Sequence, residues 1–338
     1  MPRCPKSPRC ASARPRVVFR FAGSLALAAV VGAALPGATA CTPCDLYYRP
    51  IEWREEESPV EVDLFAVAAA TDVVVAVGEG GAIVRQAGGA VWTAQASETD
   101  ASLRGVDFAG DEVVVAVGDG GVVVRSADAG ATWAVIDAGV AVDLAGVRCD
   151  AGTCVAVGDE TLLVSTDAGA SWAPPASAPV ELGALRAVEV DRRASAPFVA
   201  AGLEGAVLVS DDGQTWTAVP GASADFHAIA RSSSDWALGG ADGALFVLVN
   251  GVFVDKSQFD PPTITGMTRE VEWLVRADGV LIGGEPAWVE QSVRTEEVLP
   301  AMHAVVAVGE EAVVVGAGGL VGRAKISDER ECDRRFQG

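Results

Sequence analysis

Val115-Ala-Val-Gly-Asp-Gly-Gly-Val-Val-Val-Arg125 decides the fold: two apolar, β-branched runs are joined by a short Gly-Asp-Gly-Gly turn. That is hairpin chemistry, since Gly and Asp accept the left-handed backbone such turns need. The phrase recurs as Val75-Ala-Val-Gly-Glu-Gly-Gly81 and Val155-Ala-Val-Gly-Asp-Glu-Thr161. The last strand residue before each turn is Gly78, Gly118, Gly158, Gly202, Gly240, Arg276 or Gly316. The intervals are 40, 40, 44, 38, 36 and 40 residues, the period of a four-stranded propeller blade.

Two further registers keep the same period. Ahead of each turn stands a large apolar residue, any residue, a small residue and an apolar one: Leu64–Val67, Leu103–Val106, Leu144–Val147, Leu185–Val188, Phe226–Ile229, Ile264–Met267 and Met302–Val305. This reads as the innermost strand of each blade, its small third residue suiting a crowded axis. Behind six of the turns comes an aromatic: Trp92, Trp133, Trp172, Trp216, Phe253 and Trp288. The seventh copy lacks one, and Trp53 near the N-terminus is the candidate replacement. The expectation is therefore an all-β, seven-bladed propeller of four-stranded antiparallel blades over residues 60–326. An N-terminal strand closes the last blade and so removes exposed sheet edges.

Around this body the chain reads as an exported one. Residues 1–40 have a basic stretch, an apolar run from Phe21 to Pro36, then Ala38-Thr39-Ala40 ahead of Cys41. They are read as a signal peptide. Cys41 is read as a lipidation site, although Ala38 stands where a lipobox usually carries Leu. Residues 41–59 then form a tether that includes the closing strand, and residues 327–338 a C-terminal tail. The expected location is the envelope of a bacterium, on its periplasmic side or cell surface, with the membrane met only through the lipid. Five cysteines follow the leader; with Cys41 lipidated, four remain for two disulfides, Cys149–Cys154 and Cys44–Cys332.

Ser126-Ala-Asp128-Ala-Gly130-Ala-Thr-Trp133 and Ser165-Thr-Asp167-Ala-Gly169-Ala-Ser-Trp172 match the Asp-box (BNR) pattern, and Ser210-Asp-Asp212-Gly213-Gln-Thr-Trp216 is a form one residue shorter. Arg85–Trp92 is a decayed copy, and the last three units have lost it. With the preceding Gly-rich turns, these units resemble the photosystem II assembly and stability factor family, whose members are seven-bladed propellers. The resemblance spans about residues 60–326. It implies fold more than role, because Asp-boxes also occur in sialidases and sorting receptors. The box reads as a turn device, on the face opposite the Gly-Asp-Gly turns. Nothing in the chain indicates a photosynthetic host, so the family's partner is not carried over.

Composition narrows the function. With 46 acidic and 25 basic residues the formal charge is −21, and it would be −27 without the six basic residues ahead of Cys41. Phosphate backbones would be repelled, which excludes nucleic acid. The tyrosines, Tyr47 and Tyr48, precede the first repeat, so sialidase chemistry lacks its nucleophile. No zinc, calcium-loop or nucleophile-elbow pattern is present, so neither metal nor cofactor is expected. The chain is read as no enzyme but as a monomeric scaffold that binds an envelope or secreted protein. A carbohydrate-binding or glycoside-hydrolase-like propeller is the alternative, because carboxylate separations cannot be read from sequence.

One register position stands out. The second residue of the inner-strand motif is Phe65, Arg104, Ala145, Arg186, His227, Thr265 or His303. Both histidines and two arginines thus fall at one place, which a propeller turns into a ring at the channel mouth. Arg104, Arg186, His227 and His303 are the candidate ligand-binding residues, suited to a carboxylate. The structural alternative pairs the two arginines with acids such as Asp107 or Glu189.

Overall fold

A computed structural model describes residues 47–48, 51–191, 197–231, 235–257, 263–268, 273–279, 281–283, 300–326 and 331–332. Its architecture is a β-propeller of four-stranded antiparallel blades. In chain order the first sheet holds Leu64–Ala69, Val73–Gly78, Ile83–Ala87 and Thr93–Gln95 from the axis outward. The pattern recurs in sheets beginning at Leu103, Leu144, Leu185, Phe226, Ile264 and Met302. Among the described residues, those starting at Leu144 and Ile264 have three strands and the rest four. Each inner strand packs beside the next, and Met302–Val308 packs beside Leu64–Ala69, so the ring closes.

The second strand of each sheet is sandwiched between neighbouring sheets, so its apolar residues run without alternation. Val74 to Val77 and Val114 to Val117 are all buried. Water is excluded from both faces, which is why Val-Val-Ala-Val serves here where a half-solvated strand would alternate. Among the described residues, six of the seven second strands end in glycine, Trp273–Arg276 being the other, and this glycine has a different reason from the one its turn suggests. Gly78 and Gly118 are extended, with φ of −165° and −169°. A Cβ on either would lie 2.0 Å from the carbonyl oxygen of Asp63 or Ser102. Close approach demands these glycines; the left-handed backbone falls later, on Gly80 and Gly120, and on Glu204 and Asp242 in later sheets.

The N-terminal strand Ile51–Glu55 pairs antiparallel with Val321–Ile326, placing Trp53 opposite Ala324. Trp53 packs on the cluster of Trp273, Met302 and Val314, so the displaced aromatic does fill the last sheet. Tyr47–Tyr48 pairs with Glu331–Cys332 just beyond. Cys149 and Cys154 are disulfide-bonded across one hairpin. The leader, Cys41, Cys44 and Trp288 lie outside the described residues, and with them the lipidation and Cys44–Cys332 expectations. No helix among the described residues is long and apolar enough to cross a membrane.

Candidate functional site at the axial mouth

Every inner strand carries a register shift at the same place, between its first and third residues: Leu64/Ala66, Leu103/Gly105, Leu144/Gly146, Leu185/Ala187, Phe226/Ala228, Ile264/Gly266 and Met302/Ala304. The residue skipped by the ladder is the one singled out by the repeat. A bulged residue has no ladder partner and its side chain is re-aimed. Phe65, Arg104, Ala145, Arg186, His227, Thr265 and His303 accordingly line one cavity of about 130 Å³ on the axis. The third residue must be small because neighbouring inner strands converge there. A Cβ on Gly105 would come within 2.9 Å of the Gly146 Cα, and one on Gly266 within 3.2 Å of the Ala304 Cα.

Two sectors of this ring differ. On one side Phe65 and His303 lie with ring centroids 5.6 Å apart, and the Arg104 guanidinium sits 4.4 Å over the Phe65 ring. Arg104 donates from Nε and Nη2 to the two carboxylate oxygens of Asp119, at 2.8 and 2.9 Å. The pair holds the arginine above and the aspartate below their ordinary pKa values. His303 Nδ1 lies 3.0 Å from the Leu64 carbonyl, and the Thr265 hydroxyl donates to the Met302 carbonyl at 2.7 Å.

On the other side Arg186 uses Nη1, which donates to Asp159 at 2.6 Å and to the Leu185 carbonyl at 3.4 Å. His227 is half-buried beside it. Burial pushes the imidazole pKa down; Asp225 pulls it back up and Arg186 lowers it again.

The arginines' partners are therefore the turn acids Asp119 and Asp159, and the pairing with Asp107 or Glu189 does not occur. Asp107 stands three residues from Arg104, and Glu189 three from Arg186. At ~3.3 Å per strand residue that is about 10 Å, too far for contact. The turn acids instead lie across the ladder, where Leu103 faces Gly118. The Arg104–Asp119 pair is bidentate, with side chains 41% and 36% exposed, whereas the Arg186–Asp159 pair rests on one nitrogen, with 30% and 49% exposed. An exposed single-contact pair contributes about 0–1 kcal/mol, whereas a bidentate one is held more firmly, so Arg186 is the freer of the two arginines.

Repeat-level reading missed two features. Deeper in the channel, Arg148 Nε donates to Glu189 at 3.0 Å, and the Asp107 carboxylate accepts from the Cys149 amide at 2.8 Å. Burial pushes the Asp107 pKa up to about 6 against the pull of Arg148. Asp107, Arg148 and Glu189 share one position, the fifth of successive inner strands, and their alternating charge was the available signal. At the mouth, the residue before an inner strand ties adjacent sheets at four places among the described residues, one of them through Ser102, which accepts from the Gly80 amide at 3.3 Å. Asp63, Asp143 and Asp225 accept from the amides of Gly318, Gly120 and Glu204 at 2.7–2.8 Å.

The Ser-x-Asp-x-Gly turns occupy the opposite face, as their amides at Ala129 and Ala168 bond the inner hairpin carbonyls of Glu112 and Gly152. Each is closed by its own side chains. Ser126 Oγ accepts from Gly130 N at 2.8 Å, Asp128 accepts from Thr132 N and Oγ1 at 2.8 and 2.6 Å, and Trp133 Nε1 donates to Gly130 O at 3.1 Å. Ser165, Asp167, Gly169 and Trp172 repeat the set, as do Ser210, Asp212, Gly213 and Trp216. The bonds hold Asp128 and Asp167 down at about 2. All these groups are spent on the turn itself. Among the described residues no cluster of three or more His, Cys, Asp or Glu could hold a metal ion.

A propeller with an axial mouth of this kind is the class these elements define. No family model matches the chain, and no curated protein does. Among solved structures the fold is similar to that of YCF48 bound to D1 peptide, with a TM-score of 0.66 and 16% identity over 83% of this chain and 98% of that one. It is also similar to YCF48 from Cyanidioschyzon merolae, with a TM-score of 0.61 and 18% identity over 81% of this chain and 98% of that one. At such identities the likeness is one of fold.

Proposed function

We propose that this chain is a non-catalytic scaffold that binds a protein partner at its axial mouth and receives a carboxylate there, such as a peptide C-terminus. The carrying observation is the convergence of seven bulged positions, two Arg and two His among them, on one axial cavity. At about 130 Å³ the cavity falls below the ~300–1,000 Å³ of pockets that engulf a small ligand. It admits a chain end or a single side chain, which favours a peptide over a sugar or an enclosed substrate. Arg186 supports the reading with the nitrogens it leaves uncommitted, and His227 with a ring that gains a proton when an anion arrives. The likeness to YCF48, one structure of which holds a D1 peptide, supports a protein-binding role in general terms.

The same reading takes the seven sheets as seven blades and the Ser-x-Asp-x-Gly turns as Asp-boxes. It places the protein outside the cytoplasm as a lipoprotein anchored through Cys41. The test compares peptides ending in a free carboxylate with the same peptides amidated. They are titrated into the wild-type protein and into the variant carrying Arg104→Glu and Arg186→Glu. Free-carboxylate peptides bind the wild type and lose at least tenfold in the variant. Equal binding to the folded variant, or indifference to amidation, would falsify the carboxylate site. Metabolic labelling with a fatty acid, in the wild type and in Cys41→Ser, tests the anchor.

A further inference from the structure

A second cavity, of about 320 Å³, opens on the face opposite the axial mouth, between the last sheet and the first. Its origin lies in the repeat. In the first sheet Arg85 pairs across the ladder with Val75, and in the second Arg125 pairs with Val115. Each arginine donates from Nε to the turn of the next sheet, Arg85 to the Ala129 carbonyl at 2.7 Å and Arg125 to the Ala168 carbonyl at 2.8 Å. The glycine of that turn wedges against the valine: a Cβ on Gly130 would lie 2.9 Å from Val75, and one on Gly169 2.5 Å from Val115. A Ser-x-Asp-x-Gly turn thus fills the space between sheets one and two, and again between two and three.

Arg323, paired with Val313, is the corresponding residue of the last sheet. The turn it should meet, Gln86–Val91, is one residue shorter than Ser126–Thr132. Gly88 and Gly89 meet nothing within 4 Å on their Cβ side. Glu56 takes over the acceptor duties of the missing turn. One carboxylate oxygen receives Arg323 Nε at 3.1 Å, and the other receives Trp92 Nε1 at 2.7 Å, as turn carbonyls do elsewhere. The donors are satisfied, but the volume is left open, walled by Arg54, Thr71, Asp72, Gln86 and Glu311.

We propose that this seam cavity binds a Ser-x-Asp-x-Gly turn presented by a partner polypeptide. The two sister interfaces of the same molecule display what fits: a tight turn, small at its glycine, offering backbone carbonyls. Its volume is within the ~300–1,000 Å³ range of binding pockets and about ten times the ~30 Å³ share of one water. The Asp of such a turn would meet Arg54, whose side chain is 66% exposed and which engages Glu56 through Nη2 at 3.2 Å. The site is separate from the axial mouth, and the two can fail independently.

The probe is a cyclised peptide with the sequence Ser126–Trp133, titrated into the full chain and followed by calorimetry and by the amide resonances of Thr71, Gly88 and Gly89. Saturable binding with shifts at these amides is expected. A first variant replaces Gln86–Val91 by Ser-Ala-Asp-Ala-Gly-Ala-Thr, supplying the turn in cis. A second, Thr71→Trp, obstructs the cavity from its rim and covers the case in which the graft does not fold. Each should weaken binding at least tenfold, while amidation-sensitive binding at the axial mouth persists. Absence of saturable binding, shifts confined to other amides, or undiminished affinity in a folded variant overturns the proposal.

Discussion

The interface between the first and second sheets and the one between the last and first hold equivalent donors in different ways. In the former, a turn of the neighbouring sheet offers neutral carbonyls and fills the space behind them. In the latter, one carboxylate from the N-terminal segment accepts both an arginine and a tryptophan, and the space stays open. A turn embedded in the repeat arrives with its own sheet, so its order is shared with many other contacts. Glu56 arrives from outside the repeat and must be fixed by its bonds to Arg323, Gln86, Trp92 and Arg54. Charge stands in for the turn at this end of the closing seam, while Leu64, Val67 and Val74 pack against Val313 and Val315 within it.

The strongest way to break this contrast is Glu56→Ala. Arg323 is 11% exposed and would keep Glu311, at 3.2 Å, and Gln86, while Trp92 Nε1 would lose its acceptor. Removing one member of a buried pair costs about 3–5 kcal/mol, and the retained partners place this case at the lower end. Denaturant unfolding should show a loss of about 3 kcal/mol, with a smaller loss for Glu56→Gln. A change under 1 kcal/mol would mean that apolar packing holds the seam without help from Glu56.

A smaller effect is expected from Ser126→Ala in the second sheet's turn. Ser126 is buried and accepts from Gly130 N, and its removal leaves that amide unsatisfied. The expected cost is about 1–2 kcal/mol by the same measurement. A loss as large as that of Glu56→Ala would erase the distinction between the two interface types.

The smallest effect at neutral pH, and the sharpest probe of charge, is acid titration. For Glu56, burial raises the pKa, but the bonds from Trp92, Arg323, Gln86 and Arg54 outweigh it and bring it below the ordinary value. A folded pKa below the unfolded one gives stability that is complete above the ordinary carboxylate range, near 4.5, and lost as pH falls through the folded value. The wild type should thus lose melting temperature below about pH 4.5, and Glu56→Gln should flatten part of that fall. Identical acid limbs would show that Glu56 titrates alike in both states.

Much of the fold was legible because a propeller writes itself several times over. Three registers repeating together fix the inner strand, the turn and the aromatic wedge, and Trp53 was recognisable as the missing wedge. The ring was legible for the same reason, since one position in each repeat must map to one circle. Its chemistry was not. Arg104 and Arg186 have acids both along their own strand and across the ladder, and only backbone pairing shows that Asp119 and Asp159 are in reach. Glu56 gave no signal at all, because it stands outside the repeat within Glu55-Glu-Glu57, where nothing marks one carboxylate from its neighbours. The glycine ending six of the second strands was visible in the sequence but its steric reason was not, because close approach and turn conformation select the same residue.

The bulge at the second position of every inner strand makes the mouth open to redesign. A residue outside the ladder and facing the axis has no cross-strand partner to match, while Leu64, Leu103 and Leu144 beside it are fully buried. Substitutions there should cost the fold less than substitutions at those leucines. Each repeat therefore contributes one exchangeable side chain to the mouth, in the order Phe, Arg, Ala, Arg, His, Thr and His. Exchanging them one at a time should leave the ladder and the buried interior of each sheet unchanged.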